Sequence, residues 1–334
     1  MGLTMLAACK HDDNGNKKKR EGLTIEGPQQ KKGSSGKTLE LLIVANKDVY
    51  CGATKTLIDS LFAHPQIGLP SPEPIFDIVN IPISSFENTE MFHVHRNVVK
   101  CDINPNNLNK VYKQIDVWAA PQVVFDIAAK DRQSLDSMLA KYQPIILKEL
   151  YEAEYRRIYK AFRLTEGIKL NDYLQKRLGF RLTFSEDFAI AKDDDDFIWV
   201  RKETKDFGLG ILIKTMPYST QKQFSEAYIL DNIDTIMKHN VPGPTQGSYM
   251  ATERRDFIVS DTVKIDGQYA VETRCRWRCI NDFMGGPMVN YTILSPDNKQ
   301  VITLTAYVYC PRFNKRDYLM QVDGICHSLK FDKK

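Results

Sequence analysis

Runs and periodicities of apolar residues divide the first part of the chain into strands and helices. The apolar run at 39–45 (LELLIVA) is typical of a buried strand. A helix is predicted from Thr54, where apolar residues begin to recur at helical spacing. Further strands are predicted at 76–81, 98–103 and 114–129, the last with an edge or a break at Pro121.

The longest helical pattern runs from Asp131 to about residue 164. Pro144 lies inside it and lacks the backbone N–H that a helix needs, so we expect a kink or a division there. The second part of this helix carries acidic and basic residues side by side, Glu154 and Arg157 among them. That mixture is typical of a solvated face.

Short strands dominate from Phe180 onward, after a short helix at 170–178 that ends at Gly179. The residues around 268–280 alternate with the two-residue period of a strand. The residues predicted to face the core are Tyr269, Val271, Thr273, Cys275, Trp277 and Cys279. Those predicted to face outward are Ala270, Glu272, Arg274, Arg276 and Arg278. The remaining elements are helices at 222–239 and 314–327 and strands at 288–294 and 301–310.

This order of elements predicts an α+β protein. We expect an N-terminal α/β domain at 38–165 that contains the long kinked helix, followed by an antiparallel α/β sandwich at 176–334. The roughly 300 residues involved are enough to bury two cores.

Charge is distributed unevenly along the chain. The stretch 10–37 has eight Lys and Arg against four Asp and Glu, and the whole chain has 46 against 42, so the net charge of +4 resides in this stretch. It has almost no apolar residues, which predicts a disordered basic tether. The body is formally neutral, which argues against a nucleic-acid partner.

Residues 6–9 (LAAC) have the form of a lipobox, the site where a bacterial signal peptide is cut before a cysteine that then carries lipid. We therefore expect residues 1–9 to be a lipoprotein signal, with Cys9 acylated and the protein anchored to a membrane. An apolar stretch of about 7–15 residues should precede such a site. Either the true start lies upstream of Met1, or the motif is accidental.

The chain lacks the GxSxG, HExxH, GxxxxGK[ST] and GxGxxG motifs, and we predict no cofactor and no metal. His93 and His95 would share a strand face but lack an obvious third ligand, so two surface histidines are the better interpretation. The acidic run 193–196 is read as a hairpin tip. Cys275 and Cys279 are about 13 Å apart along a strand and cannot form a disulfide with each other.

Two features suggest a ligand face. Arg274, Arg276 and Arg278 would form an outward row of guanidinium groups, which suits carboxylate, phosphate or sulfate recognition. The alternative is a solvated face paired with nearby acids. Gly285 and Gly286 would either let a ligand approach the backbone or form the turn between two strands.

The segments TRCRWRCINDFMGGP (273–287) and VWAAPQ (117–122), with the lipobox, resemble an uncharacterised family of Bacteroidetes lipoproteins. Residues 10–13 (KHDD) are similar to the acidic tag that directs such lipoproteins to the cell surface. The layout of the C-terminal half is similar to PsbP-like α/β sandwiches. The resemblance implies an outer-membrane lipoprotein, periplasmic or surface-exposed, and supplies no active site.

From these features we expect a non-catalytic envelope module that binds a protein, a glycan or another envelope component. The alternative is an envelope hydrolase or carbohydrate-active enzyme whose carboxylates are dispersed along the chain. Two carboxyl groups about 5–10 Å apart in a concave pocket would favour the enzyme. An apolar groove would favour the binding module.

Overall fold

The computed structural model describes residues 31–332. Cys9 and most of the predicted tether lie outside the described residues. A compact unit begins at Lys32. The end of the predicted tether is part of this unit, because Lys32 forms a β-bridge with Ala119 and Ser35 forms one with His95.

The N-terminal half is built on a five-stranded mixed sheet with the order β2-β1-β3-β5-β4, in which only β4 is antiparallel to its neighbour. The strands are β1 (Glu40–Val44), β2 (Asp77–Ile81), β3 (Asn97–Ile103), β4 (Lys110–Ile115) and β5 (Val123–Ala129). The helices are α1 (Gly52–Phe62), α2 (Ile83–Asn88), α3 (Glu90–His93) and α4 (Arg132–Leu164). Leu41 and Leu42 of β1 point into different apolar clusters, one on each face, which explains the unbroken apolar run at this strand. The strand predicted at 114–129 is two strands, separated by a turn that contains Pro121.

The helix α4 begins with a cap in which the Asp131 carboxylate accepts a hydrogen bond from the Ser134 backbone N–H at 2.7 Å. Pro144 does not divide it, and apolar residues on both sides of the proline are buried against the first sheet. The predicted solvated face is partly wrong. Glu154 is 1% exposed and pairs with Arg96 at 3.0 Å and Arg157 at 2.9 Å.

The C-terminal half is an antiparallel sheet of eight strands that curls into a half-barrel, with the order β10-β12-β13-β14-β9-β8-β7 and β11 paired to β12. These strands are β7 (Ala189–Asp194), β8 (Phe197–Glu203), β9 (Gly208–Pro217), β10 (Tyr249–Thr252), β11 (Val259–Ile265), β12 (Gln268–Ile280), β13 (Gly285–Leu294) and β14 (Gln300–Tyr309). The short strands β6 (Phe180–Arg181) and β15 (Lys330–Phe331) pair with each other. The helices are α5 (Ile168–Leu178), α6 (Glu226–Asn240) and α7 (Arg316–His327). The predicted α+β class is thus confirmed.

Both faces of this curled sheet are covered by helices. The apolar stripe of α6 packs against one face, and α5 and α7 pack against the other. The helix α5 ends where predicted, at Gly179, whose φ of 74° is the left-handed conformation that glycine adopts readily.

The two halves meet where α4 packs on α7. Gly324 permits this approach, because a Cβ at that position would lie 2.8 Å from the Ile158 side chain. The Glu73 carboxylate in the N-terminal half also bonds to the C-terminal half, where it accepts hydrogen bonds from the backbone N–H groups of Lys315 (2.8 Å) and Arg316 (3.0 Å). We call the contact between α4 and α7 the seam.

Candidate functional site

The predicted alternation of β12 is correct for Trp277, but the row of arginines on the strand is not an open face. Ala270, predicted to face outward, is buried, and Tyr269, predicted to face the core, is 40% exposed. Trp277 is 5% exposed, and the arginines lie on the other side of the strand. The Arg274 side chain is only 18% exposed and pairs with Glu272 and, at 2.7 Å, with Asp323. The expectation of a solvent-facing Arg274 is therefore wrong, because α7 covers this part of the sheet.

The other two arginines are more accessible but also have carboxylate partners. Arg276, 33% exposed, pairs with Asp256. Arg278, 45% exposed, lies 3.7 Å from Glu253. The predicted alternative, a face paired with nearby acids, describes these contacts better than a row of free guanidinium groups does.

Arg274 belongs to a buried polar cluster at the seam, which we call the seam network. Its members are Tyr155 of α4, Glu272 and Arg274 of β12, Tyr291 of β13, and Asp323 and His327 of α7. The Tyr291 hydroxyl lies 2.5 Å from Asp323 Oδ1, 2.9 Å from Glu272 Oε2 and 3.0 Å from His327 Nε2. Tyr155 stacks on the His327 ring, with centroids 3.7 Å apart, and donates a hydrogen bond to Asp323 at 3.3 Å.

Burial and charge shift the acid–base properties of this network. Burial opposes the ionised form of Asp323, yet Arg274, His327 and the Tyr291 hydroxyl together hold the pKa of Asp323 below its ordinary value. Burial lowers the pKa of His327 against the opposing influence of Asp323. Burial, Asp323 and Glu272 raise the pKa of Tyr291 well above its ordinary value. The network therefore combines an ionised Asp323 carboxylate with a neutral phenol and a neutral imidazole at pH 7.

A cleft of about 230 Å³ reaches the seam network from the surface, and we call it the His327 cleft. It is lined by Glu152, Tyr155, Arg156, Tyr159, Gly324, His327, Ser328 and Lys330. Glu152 and Arg156 are exposed, and neither forms an ion pair with another described residue. Lys330 pairs with Asp266 at 2.7 Å. Shifted pKa values beside a cleft are a recognised mark of a functional site.

A second cavity, of about 280 Å³, lies on the opposite face of the curled sheet beside the segment that follows α6. We call it the aromatic groove. Its lining includes Trp199, Arg201, Glu203, Gly208, Pro242, Pro244, Met250, Trp277, Met284, Tyr307 and Tyr309. Trp277 lies edge-on to Tyr307, with ring centroids 5.8 Å apart, and 6.2 Å from Tyr309. Arg201 lies over the Trp199 ring at 5.0 Å and pairs with Glu203 at 2.9 Å.

Gly286 serves this aromatic packing, and neither Gly285 nor Gly286 forms a turn. Both belong to β13 and pair with β12, Gly286 opposite Trp277. A Cβ on Gly286 would lie 2.1 Å from the Val308 carbonyl oxygen and 3.0 Å from the indole nitrogen of Trp277. That nitrogen donates to the same carbonyl at 3.0 Å. Glycine at 286 therefore gives the indole room to cross the strand.

The prediction of two surface histidines that share a strand face is wrong. His93 ends α3 and stacks on Trp118, with centroids 4.9 Å apart. His95 is buried and lies 2.8 Å from the Glu40 carboxylate. Across residues 31–332, no group of three or more His, Cys, Asp and Glu is placed to hold a metal ion.

The acidic run 193–196 forms the tip of the β7–β8 hairpin, as predicted. The six cysteines in the described part of the chain are free thiols, five of them buried. Cys275 and Cys279 pack on the side of β12 that also buries Trp277. They behave as small core residues.

A third cavity, of about 480 Å³, contains carboxylates. Asp266 accepts from Lys330 and from the Phe331 backbone N–H at 3.0 Å. Asp297 accepts from Ser295 at 2.8 Å and from the Lys299 backbone N–H at 3.1 Å. These carboxylates are thus held within turns and strand ends.

Sequence reasoning identified Arg274, Glu272 and Trp277 as notable but missed their partners. Asp323 and His327 are four residues apart on the closing helix, a spacing that puts both on one face. This is the one signal in the sequence that points to the seam network. The partners of Trp277 in the aromatic groove come from β14, and no local pattern links that strand to β12.

Comparisons with known proteins locate two families along the chain. Residues 34–163 match the family described as "Domain of unknown function (DUF8532)". Residues 168–328 match the family described as "Domain of unknown function (DUF4837)". No curated protein matches the sequence.

Among solved structures, a thioesterase from Haemophilus influenzae is similar over 42% of this chain and 88% of its own, with 12% identity and a TM-score of 0.16. A similarity that low carries no argument about fold or activity. No helix within residues 31–332 is long and apolar enough to span a membrane. The two matches, at 34–163 and 168–328, adjoin along the chain, and both families are described as domains of unknown function.

Proposed function

We propose that this protein is a cell-envelope lipoprotein, anchored through Cys9, whose aromatic groove binds an envelope component without chemical conversion. The lipobox, the basic tether and the resemblance to Bacteroidetes lipoproteins support the location. The observation that carries the function is the groove itself, which combines an aromatic wall with a charged pair, Arg201 and Glu203, at its side.

The dimensions and chemistry of the groove restrict its ligand. Its volume of about 280 Å³ is at the small end of the range for ligand pockets, roughly 300–1,000 Å³. It would accept one ring-sized group and not a whole oligomer. The rings of Trp277 and Tyr309 offer apolar contact, while Arg201 and Glu203 supply a hydrogen-bond donor and an acceptor for polar groups at the edge of that ring. A sugar ring of an envelope glycan or a side chain of an envelope protein has this mixed character.

The alternative, an envelope hydrolase or carbohydrate-active enzyme, would need two carboxyl groups facing one substrate. The lining of the aromatic groove contains a single carboxyl group, that of Glu203. In the 480 Å³ cavity, the carboxylates of Asp266, Asp297 and Asp332 are already engaged by neighbouring donors. These observations support the binding module.

The groove is tested by filling it. Gly208 lines the groove, and a Cβ there would meet only ordinary contacts at 3.9 Å, so Gly208→Leu should reduce the space without straining the backbone. We expect this variant to keep its thermal stability and to lose binding to glycan arrays and to immobilised envelope fragments. Tyr112→Ala, which removes an exposed tyrosine on β4, is the control. Binding that survives in Gly208→Leu would refute a role for the groove.

The location is tested separately by mass spectrometry of the mature N-terminus. A diacylated or triacylated Cys9 in the membrane fraction is the expected result. An unmodified Met1 in the cytosol would refute the lipoprotein proposal while leaving the groove experiment valid.

A further inference from the structure

The hydrogen bonds of the seam network determine which nitrogen of His327 carries the proton. The Tyr291 hydroxyl has one proton and faces two carboxylates, Asp323 at 2.5 Å and Glu272 at 2.9 Å. That proton therefore goes to a carboxylate. His327 Nε2, 3.0 Å from the same hydroxyl oxygen, must then be the donor in their contact. The neutral ring is thus protonated at Nε2 and has a lone pair at Nδ1.

The Nδ1 atom is available to a ligand. His327 lines the cleft, and its Nδ1 makes no hydrogen bond to a residue in 31–332. Among residues 31–332, this nitrogen is not one of the fully buried polar atoms that lack a partner, so part of its surface is accessible. Arg156 lines the same cleft and forms no ion pair with a described residue.

Formal charges show what the cleft can accept. With His327 neutral, the network has two carboxylates, Glu272 and Asp323, against one cation, Arg274. Glu152 and Arg156 in the lining of the cleft add one charge of each sign and leave this excess unchanged. An anion that entered alone would add to this excess of negative charge in a poorly solvated site. An anion that arrives with one proton leaves the total unchanged. The proton has a place to reside at Nδ1, where Asp323, 3.9 Å from Nε2, favours the imidazolium.

We propose that the His327 cleft binds a small carboxylic acid together with one proton, as a carboxylate held by protonated His327 Nδ1 and by Arg156. The proton moves from the acid or from solvent to Nδ1, and no covalent bond between heavy atoms forms or breaks. The guanidinium group of Arg156 matches a carboxylate in two-point geometry. The rings of Tyr155 and Tyr159 provide apolar walls for the rest of the ligand. This site is independent of the aromatic groove.

The groups that face the His327 ring come from five elements. They are Glu152, Tyr155, Arg156 and Tyr159 of α4, Glu272 and Arg274 of β12, Tyr291 of β13, Asp323 of α7, and Lys330 of β15. Because burial keeps the ring neutral in the ligand-free protein at pH 7, its protonation has to accompany binding. The affinity should therefore rise about tenfold for each unit by which the pH falls toward the pKa of the ring.

Benzoate is a suitable probe, with benzamide as its uncharged counterpart. Calorimetry at pH 7 in two buffers of different ionisation enthalpy should show uptake of about one proton per benzoate bound, and no binding of benzamide. His327→Gln should abolish proton uptake. Arg156→Gln, an exposed change that leaves the network intact, should weaken benzoate binding about tenfold. His239→Gln, on the exposed side of α6, is the control and should change neither quantity.

Three results would overturn the proposal. The first is no benzoate binding at millimolar concentration between pH 5.5 and 7. The second is binding without proton uptake, and the third is binding that Arg156→Gln leaves unchanged. Because Arg156 is exposed, the third result stays informative even where His327→Gln fails to fold.

Discussion

Replacing Arg274 with methionine should destabilise the protein strongly, although an isolated arginine on a strand surface would be dispensable. Methionine retains an apolar chain of similar length but removes every hydrogen bond to Glu272 and Asp323. The Asp323 side chain is 2% exposed, so water cannot replace the lost partner. Removing one member of a buried ion pair costs about 3–5 kcal/mol, because the remaining charge is left uncompensated.

This cost can be measured against a matched control on the same strand. Arg278→Met removes a side chain that is 45% exposed and 3.7 Å from its partner, so its effect should be about 0–1 kcal/mol. Unfolding of about 300 residues has an entropy of about 0.6 kcal/mol per kelvin. The Arg274 variant should therefore melt about 5–8 °C lower, and the Arg278 variant within about 2 °C of the wild type.

The assay is denaturant unfolding monitored by tryptophan fluorescence and by circular dichroism, so that the two probes can be compared. A double variant, Arg274→Met with Asp323→Asn, should recover part of the loss, because it removes the charge that Arg274 had balanced. Equal unfolding midpoints for the Arg274 and Arg278 variants would refute the assignment of Arg274 to a buried network.

Two further predictions concern the aromatic groove and pH. Gly286→Ala should lower the free energy of unfolding by about 2–4 kcal/mol, because its Cβ would displace the Trp277 indole and break the 3.0 Å hydrogen bond to Val308. A red-shifted fluorescence maximum and a lower denaturation midpoint are expected. An unchanged midpoint would contradict this packing. The pKa of His327 is lower in the folded protein than in the unfolded chain, so the unfolded chain takes up a proton at a higher pH than the folded protein does. The contribution of His327 to stability is therefore complete above about pH 6.5 and declines as the pH falls below that value. Since the pKa of Asp323 is also lowered, its contribution is present above about pH 4 and declines in stronger acid. Unfolding free energies between pH 8 and 5 should therefore fall less in His327→Gln than in the wild type, and parallel curves would contradict this linkage.

The sequence alone determined the elements whose signals are local. The two-residue alternation along β12 placed Trp277 in the core, because the pleat of a strand sends successive side chains to opposite faces. Gly179 marked the end of α5, since the left-handed conformation there favours glycine. The antiparallel C-terminal sheet followed from short alternating strands separated by turns.

Only the tertiary structure decided which faces are covered. The same alternation put Arg274 on the second face of β12, and nothing within that strand reveals that α7, about fifty residues later, closes over it. The seam network likewise joins Tyr155 to Asp323 across 168 positions. Periodicity reports only the direction of a side chain relative to its own backbone. Whether that direction leads to water or to another element depends on packing between distant segments, and this packing gave Arg274 buried carboxylate partners in place of an open surface.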